Sequence, residues 1–153
     1  VYKKERVINR PIEEKRLCFE EVKGSLKQIK LLFELLKERS FNISHKQMPS
    51  FKDHEKFVKD NRYRSWQIVF ENRKALGSFY LKNDNSIGLN LNDNSVTNTQ
   101  QILSYIKSTF IPNEAVASEI PSYFYLNVSS KNKVLQRCLA DIGLDVIQYS
   151  YRI

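Results

Sequence analysis

The spacing of apolar residues along this chain changes several times, and each change marks an element. Leu17, Phe19 and, after a slip, Val22 alternate with polar residues, which predicts a strand from about Arg16 that ends near Gly24. Ser25 is placed as a helix cap. After it, Leu26, Ile29, Leu32, Phe33 and Leu36 recur at helical spacing to about Arg39, with Lys27, Lys30, Glu34 and Lys37 on the other face. Residues 42–49 have no period. Ser50-Phe-Lys-Asp53 matches a capping box, and Phe51, His54, Phe57 and Val58 share one side of a second helix that stops at Asn61.

Three alternating runs follow: Trp66, Ile68 and Phe70, then Leu76, Ser78 and Tyr80, then Ile87, Leu89 and Leu91. Asn72-Arg73 and Asn83-Asp84-Asn85 are turn sequences, so these strands are expected to form an antiparallel meander. A polar loop over residues 92–99 leads into a third helix carrying Ile102, Leu103, Ile106 and Phe110, which Pro112 ends. Residues 123–128 read as a buried strand. A fourth helix follows with Val134, Leu135, Cys138, Leu139 and Ile142, closed by Gly143 in the left-handed conformation. Residues 144–153, rich in aromatic and β-branched side chains, predict a last strand. The expected fold class is α/β, a mixed sheet of about six strands with four helices in the order β-α-α-β-β-β-α-β-α-β.

A chain of 153 residues suffices for one domain with a proper core. Residues 1–15 carry few apolar groups and include Pro11, so they read as a linker or N-terminal arm from a covalent neighbour domain, with 16–153 as the folded unit. The chain opens on Val1 rather than Met, without a basic segment leading into an apolar core, and is expected to be part of a longer protein. No apolar run approaches the ~18 residues of a membrane span.

The net charge of +8 favours phosphate-bearing ligands, but residues 1–16 hold six basic side chains against three acidic ones and supply +3 of it. Basic residues interspersed with acids argue against nucleic acid as a partner. Cys18 and Cys138 have no CxxC or His partner at metal spacing, which points to two thiols in a reducing cytoplasm and to no metal. His45 and His54 are the only histidines, each able to act as a base near neutral pH. The plainer alternatives stay open: His54 packing on its helix face, and His45 bonding a loop carbonyl. Tyr123, Tyr125, Tyr149 and Tyr151 stand likewise between proton donors and core or rim aromatics.

Three stretches carry a resemblance. Asn132-Lys-Val-Leu-Gln-Arg-Cys-Leu-Ala-Asp-Ile-Gly143-Leu144 resembles the Asn-x-x-Ala-x-x-Leu-Tyr/Phe-x-x-x-Gly-Phe helix of the GNAT superfamily of acyl-CoA N-acyltransferases. Asn42-Ile-Ser-His45 through Met48-Pro49, His54, Phe57 and Val58 to Tyr63 and Trp66, with Gly77-Ser-Phe-Tyr-Leu81 and Ile87-Gly88, is similar to a branch of that superfamily, some members of which are encoded with sugar-modifying genes. The resemblance covers residues 16–153. It implies parallel strands at 87–91 and 123–128 that splay apart, with the pantetheine arm of acetyl-CoA bonded to the backbone of Leu89, Asn90 and Leu91. It also implies pyrophosphate on the backbone amides of Asn98, Thr99 and Gln100, and Asn127 and Asn132 orienting the arm.

The chain departs from the family pattern in three places. Its pyrophosphate region, residues 96–101, has no glycine to let the backbone approach a phosphate. Leu139 stands where the family's tyrosine protonates the leaving thiolate. Ser86 stands where the related branch has a glutamate before Ile-Gly. His45, Ser86 and Tyr125 are thus the candidates for catalysis. Two functions stay open: acetyl transfer from acetyl-CoA to a small-molecule amine, an amino sugar among the candidates, or a catalytically inactive binding or structural module of a larger protein.

Overall fold

The computed structural model describes residues 16–39 and 47–153; the expected arm over residues 1–15 and the candidate base His45 lie outside the described residues. The elements are β1 (Leu17–Glu21), α1 (Leu26–Lys37), α2 (Phe51–Asp60), β2 (Ser65–Glu71), β3 (Lys74–Leu81), β4 (Ser86–Leu91), α3 (Val96–Thr109), β5 (Tyr125–Leu126) and α4 (Lys133–Ile142). They form a mixed α/β structure around one sheet of order β1-β2-β3-β4-β5, antiparallel throughout except for the parallel pair β4–β5.

Local sequence accounts for most of these boundaries. Ser25 Oγ accepts the Gln28 amide and Ser50 Oγ the Asp53 amide, each cap worth about 1 kcal/mol. Ser50 also donates to the Asp53 carboxylate at 2.7 Å. The turn between β2 and β3 places Asn72 and Arg73 both at positive φ, the two-residue geometry whose twist matches a hairpin. At α4, the Gly143 amide donates to the Ala140 carbonyl and the Leu144 amide to Leu139, the paired bonds of a Schellman end, with Gly143 at φ 91° as its sequence predicts.

Strand alternation sends side chains to two cores. Val69, Phe79, Leu81, Ile87 and Leu89 meet Ile102, Ile106 and Leu135 from α3 and α4 on one face. On the other, Trp66 and Ile68 meet Ile29, Leu32 and Val58 from α1 and α2. A bulge after Val69 shifts the β2–β3 register, and opposite it Gly77 lies so close to β4 that a Cβ there would sit 2.0 Å from the Asn90 carbonyl oxygen.

The long connection from α3 to β5 is held to the β3–β4 turn chiefly by one side chain, with Asn113 Nδ2 adding a bond to the Asn83 carbonyl at 2.9 Å. Asn85, fully buried at φ 68°, donates from Nδ2 to the carbonyls of Asn113 and Pro121 at 3.0 and 2.8 Å, and its Oδ1 accepts the Asn113 amide at 2.7 Å.

Three expectations are corrected. The helix expected after residue 99 begins at Val96, capped by Ser95, because Asn98 and Thr99 are buried and turn a polar, loop-like run into its first turn. The strand expected over residues 123–128 shortens to Tyr125–Leu126, since its backbone leaves β4 after Ile87. Residues 144–153 form no strand, so among the described residues the sheet has five strands rather than six and the expected order loses its last member. Strand propensity describes fit to a pleated, half-buried surface, and here Val146, Tyr149 and Tyr151 are exposed with no neighbouring strand. Among the described residues no helix is long and apolar enough to cross a membrane.

Candidate functional site

The parallel pair β4–β5 is joined only at its start. The Tyr125 amide donates to the Asn85 carbonyl and the Asn127 amide to the Ile87 carbonyl, both at 3.2 Å, and the paired residues are Ser86 with Tyr125 and Ile87 with Leu126. On the opposite edge of β4, Lys82 bonds to the Ser86 carbonyl and the Asn92 amide to Leu76. Backbone groups alternate in direction along a strand, so residues 86, 88, 90 and 92 face β3 while 87, 89 and 91 face β5. The amides and carbonyls of Leu89 and Leu91 therefore point into the gap that opens beyond the last pairing.

Beside this gap lies a cavity of about 600 Å³. Leu89, Asn90, Leu91, Asn92 and Asn94 line it from β4 and the segment after it, and Asn132 from the start of α4. The sheet contributes Trp66, Ser78 and Tyr80. From α1, α2 and their flanks come Leu32, Leu36, Arg39, Asp53, His54, Phe57 and Tyr63.

Its wall is largely aromatic. Tyr63 and Tyr80 stack with centroids 4.1 Å apart and planes 5° from parallel, and Trp66 meets Tyr63 edge-on at 5.4 Å. Tyr80 can lie there because its neighbour across the strands is Gly88: a Cβ at that position would fall 2.0 Å from the ring's Cζ. Burial, reinforced by Tyr80, pushes the Tyr63 phenol far above its usual range, so it keeps its proton at any physiological pH. Burial lowers Arg39, while Tyr80 and Tyr63 pull the other way, and a guanidinium stays charged regardless.

The cavity's charges favour a cation. Among the described residues, Glu38, Asp53 and Asp93 line it against the guanidinium of Arg39. Two buried polar atoms on its lining residues, Trp66 Nε1 and Asn94 Oδ1, have no hydrogen-bond partner among the described residues. The Asn94 segment is tied to α4 by the Cys138 thiol, which donates to the Asn94 carbonyl and which burial pushes up in pKa.

His54 is buried, and its Nε2 lies 3.1 Å from the Ile29 carbonyl. A carbonyl only accepts, so Nε2 carries the proton and Nδ1 the lone pair. Burial lowers its pKa, partly offset by the Ile29 bond, which keeps the ring neutral near pH 7.

The residues singled out from sequence separate into three places. Leu89, Asn90, Leu91 and Asn132 line the cavity. The Asn132 carboxamide oxygen caps α4 by accepting the Leu135 amide at 3.1 Å, and its nitrogen is a further donor. Asn98, Thr99 and Gln100 lie in the first turn of α3 and do not line the cavity. The Asn98 amide is taken by Ser95 Oγ and the Thr99 amide by the Ser95 carbonyl, which removes two expected phosphate donors. Asn127 is exposed and meets β4 through its backbone.

Ser86 and Tyr125 come together at the paired end of β4–β5, away from the cavity lining. Ser86 donates to Asp84 from both its amide and its hydroxyl, at 2.9 and 2.6 Å, and the Tyr125 phenol feels the same carboxylate. Burial alone would raise the Asp84 carboxyl, but the Ser86 bonds and Lys82 outweigh it and hold it low. Burial and the Asp84 charge raise the Tyr125 phenol. This cluster braces a turn. Leu139 packs against the core of α3 and α4.

Arg39, Tyr63, Trp66 and Tyr80 are among the cavity residues that sequence reasoning did not mark as a site. The signal for Tyr80 was Gly88 on an otherwise bulky strand. Comparison with family models, curated proteins and solved structures finds no match to this chain.

Proposed function

We propose that this chain is a GNAT-like N-acyltransferase domain that moves an acetyl group from acetyl-CoA to a small-molecule amine. The observation that carries this reading is the splayed parallel pair: β4 leaves Leu89 and Leu91 open-edged beside the cavity. An extended, amide-bearing pantetheine arm would add to that edge as a peptide adds to a sheet. The amine would sit among Tyr63, Trp66 and Tyr80, drawn by Glu38, Asp53 and Asp93. An amino sugar, with an apolar ring face and hydroxyls for Ser78 and Asn90, fits this wall. With positioning as the main contribution, transfer proceeds by direct attack of the neutral amine on the thioester. Such a reaction belongs in the cytoplasm, where free thiols such as Cys18 and Cys138 persist.

Calorimetry and thermal melts with acetyl-CoA test it. Binding with a rise in melting temperature that grows with ligand is expected, followed by acetylation of glucosamine detected by mass. No heat and no shift at millimolar acetyl-CoA would sink it.

A specific observation favours a second reading, a binding module without turnover. Asn98 and Thr99 have spent their amides on a helix cap, the segment has no glycine, and Leu139 cannot donate a proton. Acetyl-CoA binding without acetylation of any primary amine is the outcome this reading expects.

A further inference from the structure

We infer that His54 is the general base of the cavity, its Nδ1 taking the proton from the ammonium group of the acceptor. This rests on the acyltransferase reading above and assigns a group that the family resemblance leaves open. The tautomer is fixed by the fold: the Ile29 carbonyl, on α1, claims Nε2–H and leaves the lone pair on Nδ1. The residue lines the same cavity as the open backbone of Leu89 and Leu91, so base and thioester share one enclosure.

The charges around it suit the role. Asp53 on its own helix, Glu38 and Arg39 at the end of α1, Tyr63 before β2, Tyr80 on β3 and Asp93 after β4 line the cavity with it. The carboxylates draw in an ammonium, which cannot attack until it loses a proton. Phe33 packs against the ring at 5.2 Å, and burial favours the neutral, proton-accepting form.

The step balances. The ammonium gives one proton to His54 Nδ1, and the freed lone pair forms the C–N bond to the acyl carbon. The C–S bond breaks with its electrons on sulfur, and a second proton from nitrogen passes to the thiolate. Amide, thiol and imidazolium result, and the imidazolium returns its proton to solvent.

Glutamine is the informative replacement, because its amide nitrogen still donates to the Ile29 carbonyl while nothing titrates. His54→Gln is expected to bind acetyl-CoA as the parent chain does, and to melt close to it. Its acetylation of glucosamine, ethanolamine and glycine at neutral pH should fall about 10²–10⁴-fold. The acidic limb of the pH–rate profile should move to higher pH in the variant, following the acceptor amine's own ionisation. Nitrogen NMR of the imidazole, which needs no turnover, should show protonated Nε2 and bare Nδ1. A protonated Nδ1, or a variant that acetylates at the parent rate, overturns the assignment while leaving the acyltransferase reading intact. A parent chain that neither binds acetyl-CoA nor acetylates these amines overturns both.

Discussion

The ring of Tyr80 occupies the space that a side chain at Gly88 would need. A Cβ at position 88 would lie 2.0 Å from Cζ and 2.4 Å from the phenol oxygen, so the cavity wall exists because β4 carries hydrogen at that point. Gly88→Ala should swing Tyr80 off Tyr63 and cost about 1–3 kcal/mol in denaturant unfolding. In a Tyr80→Ala background the same replacement should cost much less, which a double-mutant cycle reads directly.

Gly77 presents the harder case, since what its Cβ would meet is backbone. The Asn90 carbonyl oxygen at 2.0 Å and the Leu91 Cα at 2.8 Å cannot rotate away as a ring can. Gly77→Ala should therefore destabilise more than Gly88→Ala, and removing Tyr80 should not rescue it. Comparison of unfolding midpoints at unchanged slope checks the order.

Stability should depend on pH through His54. Its folded pKa lies below the unfolded value of about 6.5, so between the two the unfolded chain binds more protons. Stability from this group is complete above about pH 6.5 and declines as pH falls from there toward the folded pKa. Urea melts from pH 8 downward should show the decline in the parent chain and a shallower one in His54→Gln.

Asn132 holds two tasks that can be separated. Asn132→Ala removes the cap on Leu135 and should cost about 0.5–2 kcal/mol. Asn132→Asp keeps the accepting oxygen and suits the helix dipole, so the fold should hold. It also adds a negative charge to the cavity lining, and acetyl-CoA affinity should fall roughly threefold to tenfold.

Amide exchange should report the open strand edge. Leu89 and Leu91 amides, facing the gap, should exchange faster than those of Gly88 and Asn90, which face β3. Acetyl-CoA should slow the first pair and leave the second unchanged, a pattern readable by NMR.

Elements whose residues settle their own conformation were legible in the sequence. Ser25, Ser50 and Gly143 mark helix ends through local bonds, and Asn72-Arg73 marks a hairpin through its own φ angles. The start of α3 was hidden because Thr97, Asn98 and Thr99 favour caps and turns; burial against the core overrides that preference. Residues 144–153 have strand-like sequence, but a strand is defined by its partner. The cavity was legible only in part. Leu89, Asn90, Leu91 and Asn132 lie on one sheet edge and one helix start, whereas Arg39, His54, Tyr63 and Tyr80 converge from four separate segments. No local spacing announces such a meeting.

The Asn85 clamp also sets the mechanics of the gap. With Asn113 and Pro121 fixed to it and Ser86 paired with Tyr125, the two strands are joined at residues 85–87, while β3 holds β4 straight along the rest of its length. Leu91 lies five residues from Ser86, an arm of about 17 Å at ~3.3 Å per residue. Asn85 thus anchors the closed end of the wedge whose open end is the cavity, without lining the cavity itself.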